Sequence, residues 1–406
     1  MKNVIFCADG TWDGPENGPD AYPSNVLKLF NALDGELLQG ELATSLEQER
    51  RTGPANQPTQ IAKYIHGVGD SSNFLQKVMG GSLGTGLIAR LLRGYTFISR
   101  NFEPGDRIFL VGFSRGAYTA RALGDFICKM GLLNWAGLGL DPQRTDLRGY
   151  QYAAAAWLDY QKARRKAAPH RFWLGGLESY EADLAILLPA LLRKPEYVPV
   201  AEIAAIAVWD TVGALGIPQL SADHGVRIDL LRFVNTELDR VVKRGFHAIA
   251  ADEQRIDFSP TLWTPDERIT QCFFPGAHAD VGGGYPLGPE SLLSDGALEW
   301  MMDNLRGCGV SFASPFKAPV EYELGPMHMP WTSAGFELRP TGPREFPPFV
   351  KAPPRLTVHP AIGRRLAKPV LEFAATTPPI SRKLPYLPVA LVSAGYLDIS
   401  KVAVFP

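Results

Sequence analysis

The sequence predicts an α/β protein: a mostly parallel sheet with helices on both faces and an inserted cap. Five short apolar runs, Val4–Ala8, Ile61–His66, Arg107–Gly112, Ile203–Trp209 and Ile269–Phe274, have the length and composition of buried strands. Stretches with apolar residues at helical spacing follow them, at Asn25–Leu33, Leu87–Phe102, Tyr118–Met130, Ile228–Ala251 and Ser291–Leu305. Strands that alternate with helices imply parallel neighbours joined by covering crossovers. Two stretches break the rhythm. Residues 133–197, rich in aromatic and basic side chains, read as a cap inserted over the sheet, and the proline-dense segment 311–406 reads as an extended surface wrap with little regular structure.

At 406 residues the length alone fits one large domain or two smaller ones. The alternation runs through most of the chain, which favours a single domain over 1–406. Lys and Arg total 41 against 42 Asp and Glu, a formal charge of -1, so no basic field exists to attract nucleic acid. Cys7, Cys128, Cys272 and Cys308 are scattered, and Cys7 and Cys272 sit in apolar runs, which points to reduced thiols and synthesis in the cytoplasm. The start, "MKNVIFCADG", shows no secretory signal. The most apolar later stretch, Leu184 to Leu192, is about half the roughly 20 residues a membrane span needs and contains Pro189. It suits peripheral membrane contact, not a crossing. Asp9, Asp13 and Asp280 match no recognised metal loop, so no metal and no cofactor is expected.

Two serines sit in Gly-x-Ser-x-Gly: Ser114 in "GFSRG" and Ser82 in "GGSLG". A nucleophile elbow needs a strand to deliver the serine, glycines that permit a sharp turn, and a helix whose N-terminal N–H groups favour negative charge. Ser114 follows the run Ile108-Phe109-Leu110-Val111 and precedes a helical stretch; Ser82 follows "FLQKVM", which is no strand. Ser114 is therefore the candidate nucleophile.

A serine hydroxyl needs a base, and the base needs a carboxylate to fix its tautomer. In the chain order serine, acid, histidine, Asp210 ends "IAAIAVWD" and His278 follows "ITQCFFPGA", each just beyond a strand. Asp280 is a rival acid and His359 a reserve base. The oxyanion needs two backbone N–H donors. Arg115 supplies one by its position after the serine, and Gly10 or Thr11, after the first strand, the other.

Taken together, "FCADGTWD", "GFSRGAYTAR", "VWDTVGALG", "HAIAADEQRIDFSPTLW" and "FPGAHADVGGGY" resemble the uncharacterised α/β-hydrolase domain family that includes the catalytic domains of type VI secretion phospholipase effectors. The resemblance covers most of residues 1 to 310. It implies an α/β-hydrolase fold with a serine triad, carried here by Ser114, Asp210 and His278. The reading is a serine esterase or lipase of the phospholipase kind, acting on phospholipid or another acyl ester. Other hydrolases of the same fold (thioesterase, amidase, peptidase) and an inactive binding scaffold are the alternatives. A secretion-apparatus or immunity partner, and export without a cleaved signal peptide, go with the resemblance. The aromatic and leucine-rich content of the cap, Trp135, Leu138, Trp157, Trp173 and Leu184 to Leu192, suggests an apolar surface offered to lipid.

Overall fold

A computed structural model describes residues 1–10, 22–38, 47–67, 83–142, 147–167, 195–212, 236–332, 340–349, 356–368, 371–376 and 379–398. Along the chain come β1 (Asn3–Ala8), α1 (Asn25–Ala32), β2 (Glu36–Leu37), β3 (Glu47–Thr52), β4 (Gln60–Ile65), α2 (Leu83–Asn101), β5 (Arg107–Phe113), α3 (Arg115–Met130), β6 (Leu132–Leu133) and α4 (Leu147–Ala167). They are followed by β7 (Tyr197–Val198), β8 (Ile203–Trp209), β9 (Gly245–Ala250), β10 (Ile269–Phe274), α5 (His278–Gly282), α6 (Leu292–Gly307) and β11 (Met327–His328). The last elements are β12 (Leu356–Val358), α7 (Pro360–Leu366), β13 (Leu371–Thr376), β14 (Pro379–Leu384) and α8 (Val389–Ser393).

Nine strands form one sheet in the order β12-β10-β9-β8-β5-β1-β4-β3-β2. Pairing is parallel from β12 through β4, and only β3, between β4 and the edge strand β2, runs against the rest. The fold is α/β, of the α/β-hydrolase-like kind. Side chains alternate between faces with period two, and both faces are covered. Val4, Phe6, Ile108 and Leu110 enter a core with α2, α3 and α4, whereas Ile5, Cys7, Phe109 and Val111 enter a second core with α1 and α6. A strand buried on both sides reads as an unbroken apolar run, which is why β1, β5 and β8 stand out in the sequence.

Three expectations need correction. Residues 245–250 form strand β9, not the end of a helix: Gly245 to Ala250 are buried throughout and pair in parallel with β8 and β10. Its six residues, Gly-Phe-His-Ala-Ile-Ala, are buried on both faces and so carry no polar alternation that would distinguish the run from helix. The segment after Ser311 is not merely an extended wrap. It contributes β12 to the main sheet, a β11-β13-β14 sheet and two helices, and its Met327, Phe346, Leu356, Ile362, Tyr386 and Leu391 close a third core over Ile249 and Phe273. The cap side chains Trp135, Leu138 and Trp157 face inward, packed with α2 and α3 in the first core, so they offer no surface to lipid. Trp173 and Leu184 to Leu192 lie outside the described residues. No helix among the described residues is long and apolar enough to cross a membrane.

Candidate active site

Parallel strands put their C-terminal ends on one rim of a sheet, and that rim is where α/β proteins collect functional loops. β5 lies between β1 and β8, with Ala8 opposite Gly112 and Phe113 opposite Trp209. Ser114 and Asp210 therefore leave neighbouring strands at the same level, the Ser114 N–H still donating to the Trp209 carbonyl at 3.1 Å.

The turn at Ser114 is a strained elbow. Ser114 has φ 56° and ψ -123°, outside the helix it precedes, and α3 starts at the next residue. Glycine is required on both sides by close approach. A methyl group on Gly112 would lie 2.4 Å from the Gly116 carbonyl oxygen, and one on Gly116 would lie 2.1 Å from the Ala8 carbonyl oxygen. The bend thus folds α3 back onto the ends of β5 and β1. Ser114 itself is 6% exposed. Arg115 places its N–H at the first position of α3, beside Ser114.

Gly10 also lies against the elbow: a methyl there would sit 3.1 Å from Ser114 Cβ. Its N–H donates to Asp9 Oδ1 at 2.7 Å, while Asp9 Oδ2 accepts from the Ser24 hydroxyl at 2.6 Å and the Tyr64 hydroxyl at 2.7 Å. Asp9 is a brace for the β1 turn, its oxygens taken up by protein donors. Thr11, Asp13 and Ser82 lie outside the described residues.

Asp210 is fully buried at the end of β8, at φ 36°. Its Oδ2 accepts from His278 Nδ1 at 2.6 Å and from Arg344 at 2.8 Å; its Oδ1 accepts from Arg344 at 2.7 Å and from the Ala250 N–H at 3.0 Å. Burial alone would raise its pKa, but the Arg344 charge and the bonds from His278 and Arg344 outweigh that and hold it far below the usual carboxylate range. His247, across on β9, pins the following turn. Thr211 N–H donates to its Nε2 at 3.0 Å, which places the proton on Nδ1, toward Gln271 Oε1 at 3.3 Å. Burial pushes His247 down to about 3, so it acts as a neutral bracket.

His278 opens the short α5 after β10, and its backbone N–H donates to Glu253 Oε2 at 3.2 Å. The imidazole is clamped between aromatic rings, Phe113 at 4.6 Å and Phe258 at 5.0 Å between centroids. With Nδ1 on Asp210, Nε2 has no hydrogen bond among the described residues, and none joins it to the Ser114 hydroxyl. Burial lowers its pKa, an effect the Asp210 bond offsets only in part, so the ring is neutral at pH 7 with its basic nitrogen on Nε2.

The competing residues have other occupations. Asp280 accepts from the Ala277 N–H at 2.9 Å, from the His328 N–H at 3.0 Å, and bonds His328 Nδ1 at 2.6 Å. His359 caps α7, taking the Ala361 N–H at 3.3 Å, and stacks on Phe274. Arg255 is held by Glu253 and lies 3.7 Å above the Phe258 ring. Arg344, Glu253 and His247 were not singled out from the sequence. Glu253 and His247 stand in the quoted block "HAIAADEQR", whereas Arg344, in "TGPREFPP", has no local pattern to mark it.

Residues 2–304 match the family described as T6SS, phospholipase effector Tle1-like, catalytic domain. The chain belongs to that family. It is also similar to an uncharacterized protein of Saccharomyces cerevisiae, YEL023C, at 27% identity over 286 residues, which are 67% of this chain and 34% of the yeast protein. Two solved structures show likeness at a TM-score of 0.39: the Tle1 effector bound to the VgrG spike from the type 6 secretion system, and an uncharacterized protein from Pseudomonas aeruginosa. The first is 19% identical and covers 70% of this chain and 51% of that one; the second is 17% identical and covers 78% and 47%. The chain thus spans about a third of the yeast protein and about half of each solved chain. Membership in the Tle1-like family makes a hydrolase of the phospholipase or lipase type the expected activity, and Arg344 lies beyond the family match.

Proposed function

We propose that this Tle1-like chain is a serine hydrolase that removes an acyl chain from phospholipid, with Ser114 as nucleophile, His278 as general base and Asp210 as its orienting acid. The observation that carries the reading is the 2.6 Å bond from His278 Nδ1 to a buried Asp210, on the rim where the Ser114 elbow leaves β5. His278 Nε2 takes the proton as Ser114 Oγ attacks the ester carbonyl. The tetrahedral oxyanion sits at the start of α3, on the Arg115 N–H. The Gly10 N–H is already given to Asp9, and Thr11, the other donor expected from the sequence, lies outside the described residues. Collapse expels the lysophospholipid alkoxide, which takes the proton from His278, and a water activated by the same nitrogen then hydrolyses the acyl-serine. No step calls for a cofactor.

The family also suggests peripheral contact with a membrane, delivery by a secretion apparatus after synthesis in the cytoplasm, and an immunity protein as counterpart. The domain proposal is one unit over 1–406, with a cap inserted at 133–197 and a proline-rich C-terminal segment at 311–406.

The test is acyl release from phospholipid vesicles, together with fluorophosphonate labelling. Wild type should do both. Ser114→Ala, folded by circular dichroism, should take no label and lose roughly three to six powers of ten in turnover. A folded Ser114→Ala protein that keeps both activities puts the nucleophile elsewhere, with Ser82 next in line. Wild-type protein inert to label and lipid alike would mark a binding scaffold.

A further inference from the structure

The carboxylate behind His278 is itself held by a residue far down the chain. Arg344 is 134 positions from Asp210, yet its guanidinium meets both carboxylate oxygens, at 2.7 and 2.8 Å, in a planar two-pronged pairing. The same group donates to the Ala250 carbonyl at 2.8 Å and to the Phe258 carbonyl at 2.5 Å. It is 2% exposed at the side chain, against 0% for Asp210. These anchors matter separately. Ala250 ends β9, next to β8, and Phe258 is one of the two rings against His278. One side chain therefore ties the acid, the neighbouring strand end and the wall of the base.

We infer that Arg344 is a positioning residue of the active site, and that the segment around it, beyond the family-matched region, completes the catalytic apparatus. The inference rests on the reading that Asp210 and His278 work as a pair. A buried carboxylate that serves only a neutral imidazole would be an unbalanced charge, and such charges in low dielectric are costly. Arg344 balances it, so Asp210 stays ionised without demanding that His278 be protonated. The fork also leaves Asp210 one usable orientation, with Oδ2 on Nδ1. Among the described residues the charges that act on this imidazole include Asp210, Arg255 and Glu253, with Arg344 behind Asp210 and Asp280 on the same short helix turned to His328. Of these only Arg344 bonds both Asp210 oxygens.

The sign follows. Without the Arg344 charge, Asp210 acts undiluted on His278 and favours the imidazolium, so the acid limb of kcat/KM moves to higher pH. Arg344→Gln should lose roughly tenfold or more in kcat/KM at pH 6, and less at pH 8, where the imidazole is neutral again. Arg344→Lys keeps the charge but offers a point donor instead of a fork. It should hold the acid limb near the wild-type position and lose kcat at every pH. If Arg344→Gln does not fold, Arg344→Lys decides, and a kcat and pH profile equal to wild type in a folded variant overturns the proposal. Titration of His278 by 15N NMR in wild type and in each folded variant reads the coupling without turnover. Equal titration in wild type and Arg344→Gln overturns the proposal even if the protein hydrolyses nothing, whereas failure of wild type to label or turn over sinks only the proposed function.

Discussion

Two of the described histidine–carboxylate pairs have the same bond and different surroundings. His278 Nδ1 lies 2.6 Å from Asp210, and His328 Nδ1 lies 2.6 Å from Asp280. Around His278 the carboxylate is balanced by Arg344, and the second nitrogen has no partner among the described residues. Around His328 the second nitrogen is bonded by Glu290, and the ring stacks on Tyr285 at 3.5 Å. The consequences for charge are opposite. Burial lowers the His278 pKa; for His328 burial also pulls downward, but the Asp280 charge and the bonds to Asp280 and Glu290 outweigh it and raise the pKa. One ring is held toward the neutral form with a lone pair to offer, and the other, set between two acids, is biased toward the cation. A carboxylate at Nδ1 does not make a histidine a base. The state of Nε2 and the charge balance of the carboxylate do.

Removing each carboxylate in turn is the sharpest way to break that comparison. Asp210→Asn should lower kcat by about three to four powers of ten, because an amide no longer selects the Nδ1–H tautomer. Asp280→Asn should cost less than about tenfold in kcat and show its effect as lost thermal stability, since it weakens the bonds to the buried His328 ring and to two backbone N–H groups. Both are read from ester hydrolysis and calorimetry on the same preparations. Comparable losses of turnover at the two positions would mean that the pairs share one task.

In the proposed mechanism the elbow presents Ser114 to His278, and that elbow hangs on missing side chains. Gly116→Ala puts a methyl 2.1 Å from the Ala8 carbonyl oxygen, where only backbone can yield, so the fold should lose about 3 kcal/mol or more. Gly363→Ala, in α7 with nothing within 4 Å of the added methyl, should be neutral or slightly stabilising. Denaturant midpoints of the two variants check this. A Gly116→Ala protein as stable as wild type would show that the β1 end is not pressed against the elbow.

What the sequence makes legible follows from local chemistry. β1, β5, β8 and β10 show themselves because burial on both faces writes long apolar runs, and Ser114, Asp210 and His278 stand just beyond three of them. β3 was invisible for the opposite reason. "EQERRT" reads as solvated, yet Glu49 is buried between Arg100 at 2.6 Å and Lys63 at 3.2 Å, a charge balance made only in the folded state. β9 reads as helix because burial of all six residues leaves no polar alternation of period two. Arg344 illustrates the general limit. A pairing across 134 positions depends on which strand ends the topology brings together, and nothing near "GPRE" encodes that.

The smallest effect tests the sealed pair on its own terms. His328 has a folded-state pKa above its ordinary value, so its contribution to stability is fully present below about pH 6.5, the range of an unfolded histidine, and is lost as pH rises through the folded pKa. Glu290 is 42% exposed at its side chain, so solvent screens that half of the contact and the pH-dependent part is modest, on the order of 1 kcal/mol. His328→Gln removes the titration while keeping a polar side chain. The Tm gap between wild type and variant should therefore be wider at pH 6 than at pH 9, by about 2 °C. A gap of equal size at the two pH values would mean that His328 is neutral in the fold, and that its difference from His278 lies only in the occupied Nε2.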